Sequence, residues 1–274
     1  MQPKTYSFYP SPPVLRSQIE IYRLVEVMDE IYGETVANAR MDAVIVLNGK
    51  IETSDSEEDS FTPLPDCSFF PFTRSGATRV HLEAGTRLIN IKLYPHVLAS
   101  SCFDGLSLQK SLDFNTVFGK DFPISSLVSP TLSPRPDSLK AQLDSFFEEH
   151  LLNKSTPNAL LNQVFSFVES DTNETVSLAT LASDSGVSIK TLERQFKNYT
   201  GLTIKMYRDL VRFQKTTSSI HANGHYHHGD LLEALGSGYY DQSHFVKASR
   251  KLTGLSPKEL FQRLPGEITD FVVF

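Results

Sequence analysis

With 274 residues, 40% of them apolar and 19 of them phenylalanine, the chain has material for two domains that each bury a core. No apolar run approaches the ~18 residues of a membrane-crossing helix and the start, MQPKTYSFYPSPP, has no apolar signal core, so neither a membrane-spanning helix nor a secretory signal is expected, and the cytoplasm is the expected compartment. The net charge of −6 is uneven: residues 170–264 hold 12 Lys+Arg against 9 Asp+Glu, and acidic residues dominate the rest.

The first 135 residues carry short apolar or alternating runs broken by Pro, Gly, Asn and Asp. They read as strands over residues 19–27, 43–47, 68–72, 78–82 and 87–93. Asn48-Gly49, between Val46 and Ile51, predicts a tight hairpin. A β-rich domain follows, built as a small barrel or sandwich. The acidic run ETSDSEEDS, residues 52–60, is expected to be a solvated loop. His81 and His96 lack the nearby histidine and carboxylate of a metal site and read as structural histidines with satisfied polar atoms. Phe69, Phe70, Phe72, Tyr94 and Phe103 could line an apolar pocket, with plain core the simpler reading. Cys67 and Cys102, far apart in sequence, read as small buried apolar residues in a reducing compartment. Residues 93–122 read as turns and short helices that close the domain.

The proline-rich SPTLSPRP, residues 129–136, marks a boundary. Two amphipathic helices are expected after it. Over residues 137–152, Leu139, Leu143, Phe146, Phe147 and Leu151 face inward and Lys140, Asp144 and Glu148 outward. Over residues 157–169, Leu160, Leu161, Val164, Phe165 and Val168 form the inward face. The pair can pack on the preceding domain, on each other, or on a second copy of the chain.

Beyond residue 170 one pattern occurs twice. Leu178, Leu181 and Ala182 share a face of a short helix broken at Ser185-Gly186. Ser188 then caps a second helix with Leu192, Phe196 and Tyr199 inward, ending near Gly201. Residues 203–219, with Met206, Leu210, Phe213 and Thr217 on one face, form a rod roughly 24 Å long. A loop holding His221, His225, His227 and His228 and a short helix over 230–235 lead to a turn at Gly238. Asp241 caps a helix that buries Phe245, Ala248 and Leu252 and stops at Gly254. Ser256-Pro257-Lys258-Glu259 is a capping box for one more helix. Helix, glycine turn and helix is the arrangement that seats its second helix in a major groove. The outward residues are Ser188, Lys190, Thr191, Arg194, Gln195 and Lys197 on the first such helix, and Gln242, Ser243, His244, Lys247, Arg250 and Lys251 on the second. They combine amides and hydroxyls that read base edges with cations that hold phosphates.

The string G-Y-Y-D-Q-S-H-F, residues 238–245, followed by T-G-L-S-P, residues 253–257, resembles the second helix-turn-helix of the AraC/XylS family of bacterial transcription regulators. Ser188-x-x-x-Leu192-x-Arg194-x-Phe196, with Gly201 and Tyr207 beyond it, resembles the first. The resemblance spans roughly residues 175–262. It implies an α+β chain: a β-rich sensor domain over 1–135, linking helices over 136–170, an all-α double helix-turn-helix domain over 171–264, and a tail over 265–274. It further implies double-stranded DNA and RNA polymerase as partners, activation of transcription, and an N-terminal half that senses a small-molecule effector or joins two copies. Lys190, Thr191 and Gln195 are assigned by it to bases or the groove, and Arg194 to phosphate or to bracing the motif. Three departures from the family pattern predict looser or rearranged packing of the second motif: Ser249 where a core aromatic is usual, Thr216 in place of a small alanine, and Glu233 in place of an aliphatic residue. The alternative is a degenerate member that acts through protein contacts. No P-loop, Gly-x-Gly-x-x-Gly or Gly-x-Ser-x-Gly occurs, so no enzyme activity and no cofactor are expected. His221, His225 and His228 with Asp230 could gather zinc or nickel, but a polar loop is the reading taken and no metal is expected.

Overall fold

The structure, a computed structural model, describes residues 3–35, 38–55, 60–70, 78–100, 103, 106, 112–118, 136–153, 158–170, 177–222, 238–263 and 271–273. In the N-terminal half the strands are β1 (Lys4–Phe8), β2 (Ile19–Glu26), β3 (Ile31–Thr35), β4 (Met41–Asn48), β5 (Ile51–Asp55), β6 (Thr62–Pro63), β7 (Cys67–Phe70), β8 (Thr78–Leu82), β9 (Arg87–Leu93) and β10 (Leu112–Asp113). One sheet has the order β1-β2-β9-β4-β7-β10. The other runs β3-β8-β5-β6 and is completed at its β3 edge by β11 (Phe271–Val273), which returns from beyond the helical half to pair antiparallel with Gly33–Thr35.

The two sheets face each other. Val25, Val27, Val46 and Leu88 of the first meet Ile31, Ile51, Val80 and Leu82 of the second in one buried cluster. The alternate residues of the first sheet, among them Tyr22, Leu24, Ala43, Ile45, Ile89 and Ile91, point the other way into a core that continues through the helices. Burial on both faces explains why β2, β4 and β9 read as nearly unbroken apolar runs. Farther along the inter-sheet face, the packing turns polar. Asn90 Nδ2 donates to Asp42 Oδ1 (2.8 Å), Arg23 Nη1 donates to Asn90 Oδ1 (3.4 Å), and Lys92 Nζ lies 3.3 Å from the same Asp42 oxygen.

Several expectations are corrected. Asn48-Gly49 does turn, with Gly49 at φ +84°, but β4 and β5 do not pair: they belong to different sheets, so the turn is a corner between them. Thr86 sets that corner, accepting from Lys50 N (3.2 Å) and donating to Lys50 O (3.1 Å). It packs so close that a Cβ at residue 49 would lie 2.5 Å from its hydroxyl oxygen. The acidic run begins not as a loop but as β5, held between β8 and β6, with Ser54 buried; residues 56–59 lie outside the described residues.

His81 is satisfied, as expected. On the outer face of the second sheet its Nε2 lies 2.7 Å from Glu30 and its Nδ1 2.9 Å from Glu52, under the stacked ring of Tyr32. Burial opposes protonation of His81, but the hydrogen bonds to Glu52 and Glu30 outweigh it and raise the pKa. His96 stacks on Tyr94, and burial pulls its pKa down against the pull of Glu169. Phe103 is core. Phe72, Cys102, the proline-rich boundary at 129–135, the histidines from His225 to His228 and the short helix at 230–235 lie outside the described residues.

The linking helices are α3 (Pro136–Phe147), which widens into a π-helical turn over Glu148–Asn153, and α4 (Ala159–Glu169). Their apolar faces are buried as the periodicity predicts. Asp144, expected outside, is buried instead. It accepts from Tyr22 Oη (3.1 Å) and Ser11 N (2.9 Å), which fixes α3 on the first sheet. Numbering α1 (Pro13–Arg16) and α2 (Phe114–Phe118) before them, the remaining helices are α5 (Leu178–Asp184), α6 (Ile189–Thr200), α7 (Ile204–Ala222), α8 (Gln242–Thr253) and α9 (Pro257–Arg263). No helix among the described residues is long and apolar enough to cross a membrane. None of their His, Cys, Asp or Glu side chains form a group of three or more able to hold a metal.

Candidate nucleic-acid interface

Two units with the same local chemistry flank α7. In the first, Ser177 caps α5 by accepting from Thr180 N (3.1 Å), and the helix ends at Ser185. Gly186 adopts φ +68°, Val187 N donates back to Ala182 O (3.0 Å), and Ser188 caps α6 by accepting from Thr191 N (3.1 Å). Gly201 stops α6 in the left-handed conformation, its N–H donating to Lys197 O (2.8 Å). Thr200 staples that end: its hydroxyl donates to Phe196 O (2.8 Å) and accepts from Leu202 N (3.1 Å). The inner face packs Phe196 against Phe165 of α4 and Tyr207 of α7, with centroids 5.3 and 5.7 Å apart.

The second unit repeats these devices in register. Asp241 stands where Ser188 does and caps α8 by accepting from His244 N (2.7 Å). Phe245 takes the place of Leu192, and Thr253-Gly254-Leu255 that of Thr200-Gly201-Leu202, with the Thr253 hydroxyl donating to Ser249 O (2.8 Å) and accepting from Leu255 N (3.1 Å). Ser256 and Glu259 form the expected capping box, and the hydrogen bonds from Ser256 hold the Glu259 carboxyl below its ordinary pKa. At Ser249 the packing is rearranged rather than loosened. The serine is fully buried and donates to Leu255 O (2.8 Å), tying α8 to the turn that follows. Thr216 is likewise buried and donates to Arg212 O (2.9 Å).

Between the units α7 has 19 residues, giving a rod of about 28 Å. Its buried face is Tyr207, Leu210, Val211 and Phe213, while Met206, expected inward, is 38% exposed. The difference is a step of one residue, about 100° around the helix: Tyr207 rather than its neighbour Met206 points inward.

The sequence-assigned residues divide into two kinds. Lys190, Arg194 and Lys197 on α6, and Gln242, Ser243, His244, Lys247, Arg250 and Lys251 on α8, are exposed; Gln195 is half-buried. Ser188 and Thr191 are engaged in the cap, their hydroxyls 2.9 Å apart, so their first task is to shape the helix end. Glu193 shares the exposed surface of α6 and reduces its positive balance.

Contacts that no motif announces hold α7 to the linking helix α4 and to the N-terminal half. Tyr207 Oη donates to Glu169 Oε1 (2.7 Å), Lys215 Nζ donates to Glu169 O (2.6 Å), and Arg40 Nη1 lies 3.7 Å from Glu169 Oε1 while its Nε pairs with Glu20 (3.2 Å). Gln214 accepts from Ala39 N (3.0 Å). Burial and the adjacent Glu169 charge keep the Tyr207 phenol well above its ordinary pKa.

Comparison with known proteins places the likeness where these units lie. A family model described as a helix-turn-helix domain matches residues 181–263. The HTH-type transcriptional activator RhaS of Escherichia fergusonii is 32% identical over 107 residues, 38% of this chain and 37% of that one. RhaS of Salmonella schwarzengrund is 29% identical over 138 residues, 50% of this chain and 49% of that one. The chain thus spans half or less of the length of these curated relatives. Among solved structures, ToxT of Vibrio cholerae bound to (E)-4-(8-methylnaphthalen-1-yl)but-3-enoic acid has a TM-score of 0.51 at 11% identity, covering 95% of this chain and 98% of that one. An apo ToxT variant has a TM-score of 0.50 at 14% identity, covering 89% and 97%. At such identities the structures speak for the fold alone. Residues 181–263 therefore hold a helix-turn-helix domain of the AraC type.

Proposed function

We propose that this protein is a sequence-specific, double-stranded-DNA-binding transcription regulator of the cytoplasm, in which α6 and α8 read adjacent major grooves. The observation that carries the reading is the duplication. Two capped, glycine-stopped helices with exposed cations and amides stand on either side of one rigid rod. Activation of transcription belongs to the same reading, by likeness to the RhaS activators, and RNA polymerase is the partner such a role would require. DNase footprinting and salt-dependent binding across the gene's own upstream region test it. Arg194→Ala weakens binding to all sequences alike, whereas Gln242→Ala changes discrimination between sites by ~1 to 3 kcal/mol. Identical footprints for the parent and both variants would remove these roles, and absence of any footprint would favour action through protein contacts.

The N-terminal half is the proposed place for an effector or for pairing of two copies. The polar group of Arg23, Asp42, Asn90 and Lys92, set against an apolar cluster between two sheets, supplies charged and hydrogen-bonding groups for a small polar ligand. ToxT, which shares the fold, binds an organic acid in one of its structures. Calorimetry with candidate small acids, repeated on Lys92→Met, tests the location.

A further inference from the structure

The two units differ in one respect that bears on how the second meets DNA. In the first, a single residue, Val187, separates the turn glycine Gly186 from the cap Ser188, and its side chain packs against the core. In the second, two residues separate Gly238, at φ +86°, from the cap Asp241. The first of these, Tyr239, does the work of Val187. It is 5% exposed, its ring lies 5.2 Å from that of Phe245, and Arg212 sits 5.7 Å over its face. The second, Tyr240, has no counterpart in the first unit. It is 91% exposed, more than the other exposed large hydrophobic residues among the described residues, which range from 38% to 64%.

Tyr240 directly precedes the end of α8 that bears Gln242, Ser243 and His244, all exposed. When the start of a recognition helix enters a major groove, the turn before it passes over the groove wall, where phosphates and sugars lie rather than base edges. A phenol there can donate one hydrogen bond to a phosphate oxygen and lay its ring along the sugar. We propose that Tyr240 is a backbone-contacting, positioning residue of the second unit: its hydroxyl donates to a DNA phosphate and fixes the register of α8 in the groove. The proposal rests on the DNA-binding reading above. It adds a contact absent from the first unit, where Lys190 supplies a cation at the position that Ser243 occupies in the second.

The test measures the affinity of the full chain for several duplexes of unrelated sequence by fluorescence anisotropy at three salt concentrations, for the parent, Tyr240→Ala, Tyr240→Phe and Lys247→Ala. Tyr240 is exposed, so its replacement leaves folding intact. Tyr240→Ala is expected to weaken binding roughly 3- to 10-fold on every duplex, the worth of a neutral hydrogen bond, and Tyr240→Phe to lose most of the same factor. The salt slope should be unchanged, because a neutral phenol displaces no counterion, whereas Lys247→Ala should reduce the slope by about 1. Unchanged affinity in Tyr240→Ala alongside a weakened Lys247→Ala overturns the proposal. An altered ranking of duplexes without a uniform loss also overturns it, since Tyr240 would then read bases. Loss in Tyr240→Ala with full affinity in Tyr240→Phe removes the hydroxyl's role. If the parent shows no salt-dependent binding at all, the DNA-binding reading itself fails, and this proposal with it.

Discussion

At Ser249 a missing aromatic and a buried polar staple predict opposite responses to a larger side chain. If the usual aromatic were simply missing, Ser249→Phe would fill a gap and stabilise the second unit. The structure predicts the opposite. Ser249 has no exposed surface, its hydroxyl donates to Leu255 O at 2.8 Å, and its own carbonyl accepts from Thr253 at 2.8 Å, so the space is closed by a polar staple rather than left empty. A phenyl ring there removes one buried hydrogen bond, about 1 kcal/mol, and overpacks the site by about 1 to 3 kcal/mol more. Serine and phenylalanine have similar helix propensities, so nothing offsets this loss of roughly 2 to 4 kcal/mol. Ser249→Ala loses the hydrogen bond but gains helix propensity, leaving a net loss of about 0.5 to 1 kcal/mol. Urea denaturation of the full chain, followed by far-ultraviolet circular dichroism, measures both. A higher midpoint for Ser249→Phe than for the parent would refute the staple.

Asp241→Ala removes the side-chain cap of α8 and an anion at its positive end, so about 1 kcal/mol of local stability should be lost, while Asp241→Asn keeps the cap and loses only the share of the charge. Hydrogen exchange of the first amides of α8 reads the difference directly. His81 gives a pH dependence: because its folded pKa is raised, the stabilisation is fully present below the unfolded pKa of about 6.5 and is lost as pH rises through the folded value. The groups that face it are Glu30, Glu52, Tyr32 and Phe61, with Lys50 on the far side of Glu52. The gap in denaturation midpoint between the parent and His81→Gln should therefore narrow from pH 6 to pH 9, and a constant gap would contradict the double carboxylate clasp.

What the sequence made legible follows from where each signal resides. The caps at Ser188 and Asp241, the stops at Gly201 and Gly254 and the box at Ser256 are satisfied within a few residues, so a local rule suffices to find them. Strands β2, β4 and β9 were legible because both faces are buried. Strands β1 and β3 were not, since each lies near a sheet edge with a mixed pattern, and β3 carries Gly33. The Asn48-Gly49 signal identified a turn but could not say which sheet the chain would enter next, because Thr86, 36 positions from Lys50, decides it. Asp144 looked like an outward residue because its partners, Tyr22 and Ser11, lie more than a hundred positions away. Met206 and Tyr207 are adjacent, and apolar spacing alone does not choose between them. The contacts of Arg40 and Gln214 have no sequence signature at all.

The register between the units also bears on how an acidic chain would hold DNA in the proposed role. Aligned on their caps, Arg194 corresponds to Lys247 and Lys197 to Arg250, so two positions carry a cation in both units. Lys190 corresponds to Ser243, Thr191 to His244 and Gln195 to Ala248, so the positions assigned to bases differ in every case. On the proposed reading, phosphate contacts are shared while base contacts are not, and the two half-sites read by one chain must differ in sequence and have a fixed order. A duplex with the first half-site in both places should bind more weakly than the natural order, by roughly 1 to 3 kcal/mol for each mismatched base pair. The cations are few. With four to six of them on phosphates, log affinity should fall with log salt at a slope of about −4 to −5, or roughly 250- to 1,000-fold between 50 and 200 mM. A slope near −10 would require cations beyond these two helices. A slope near zero would leave the exposed lysines and arginines of α6 and α8 without the partner proposed for them.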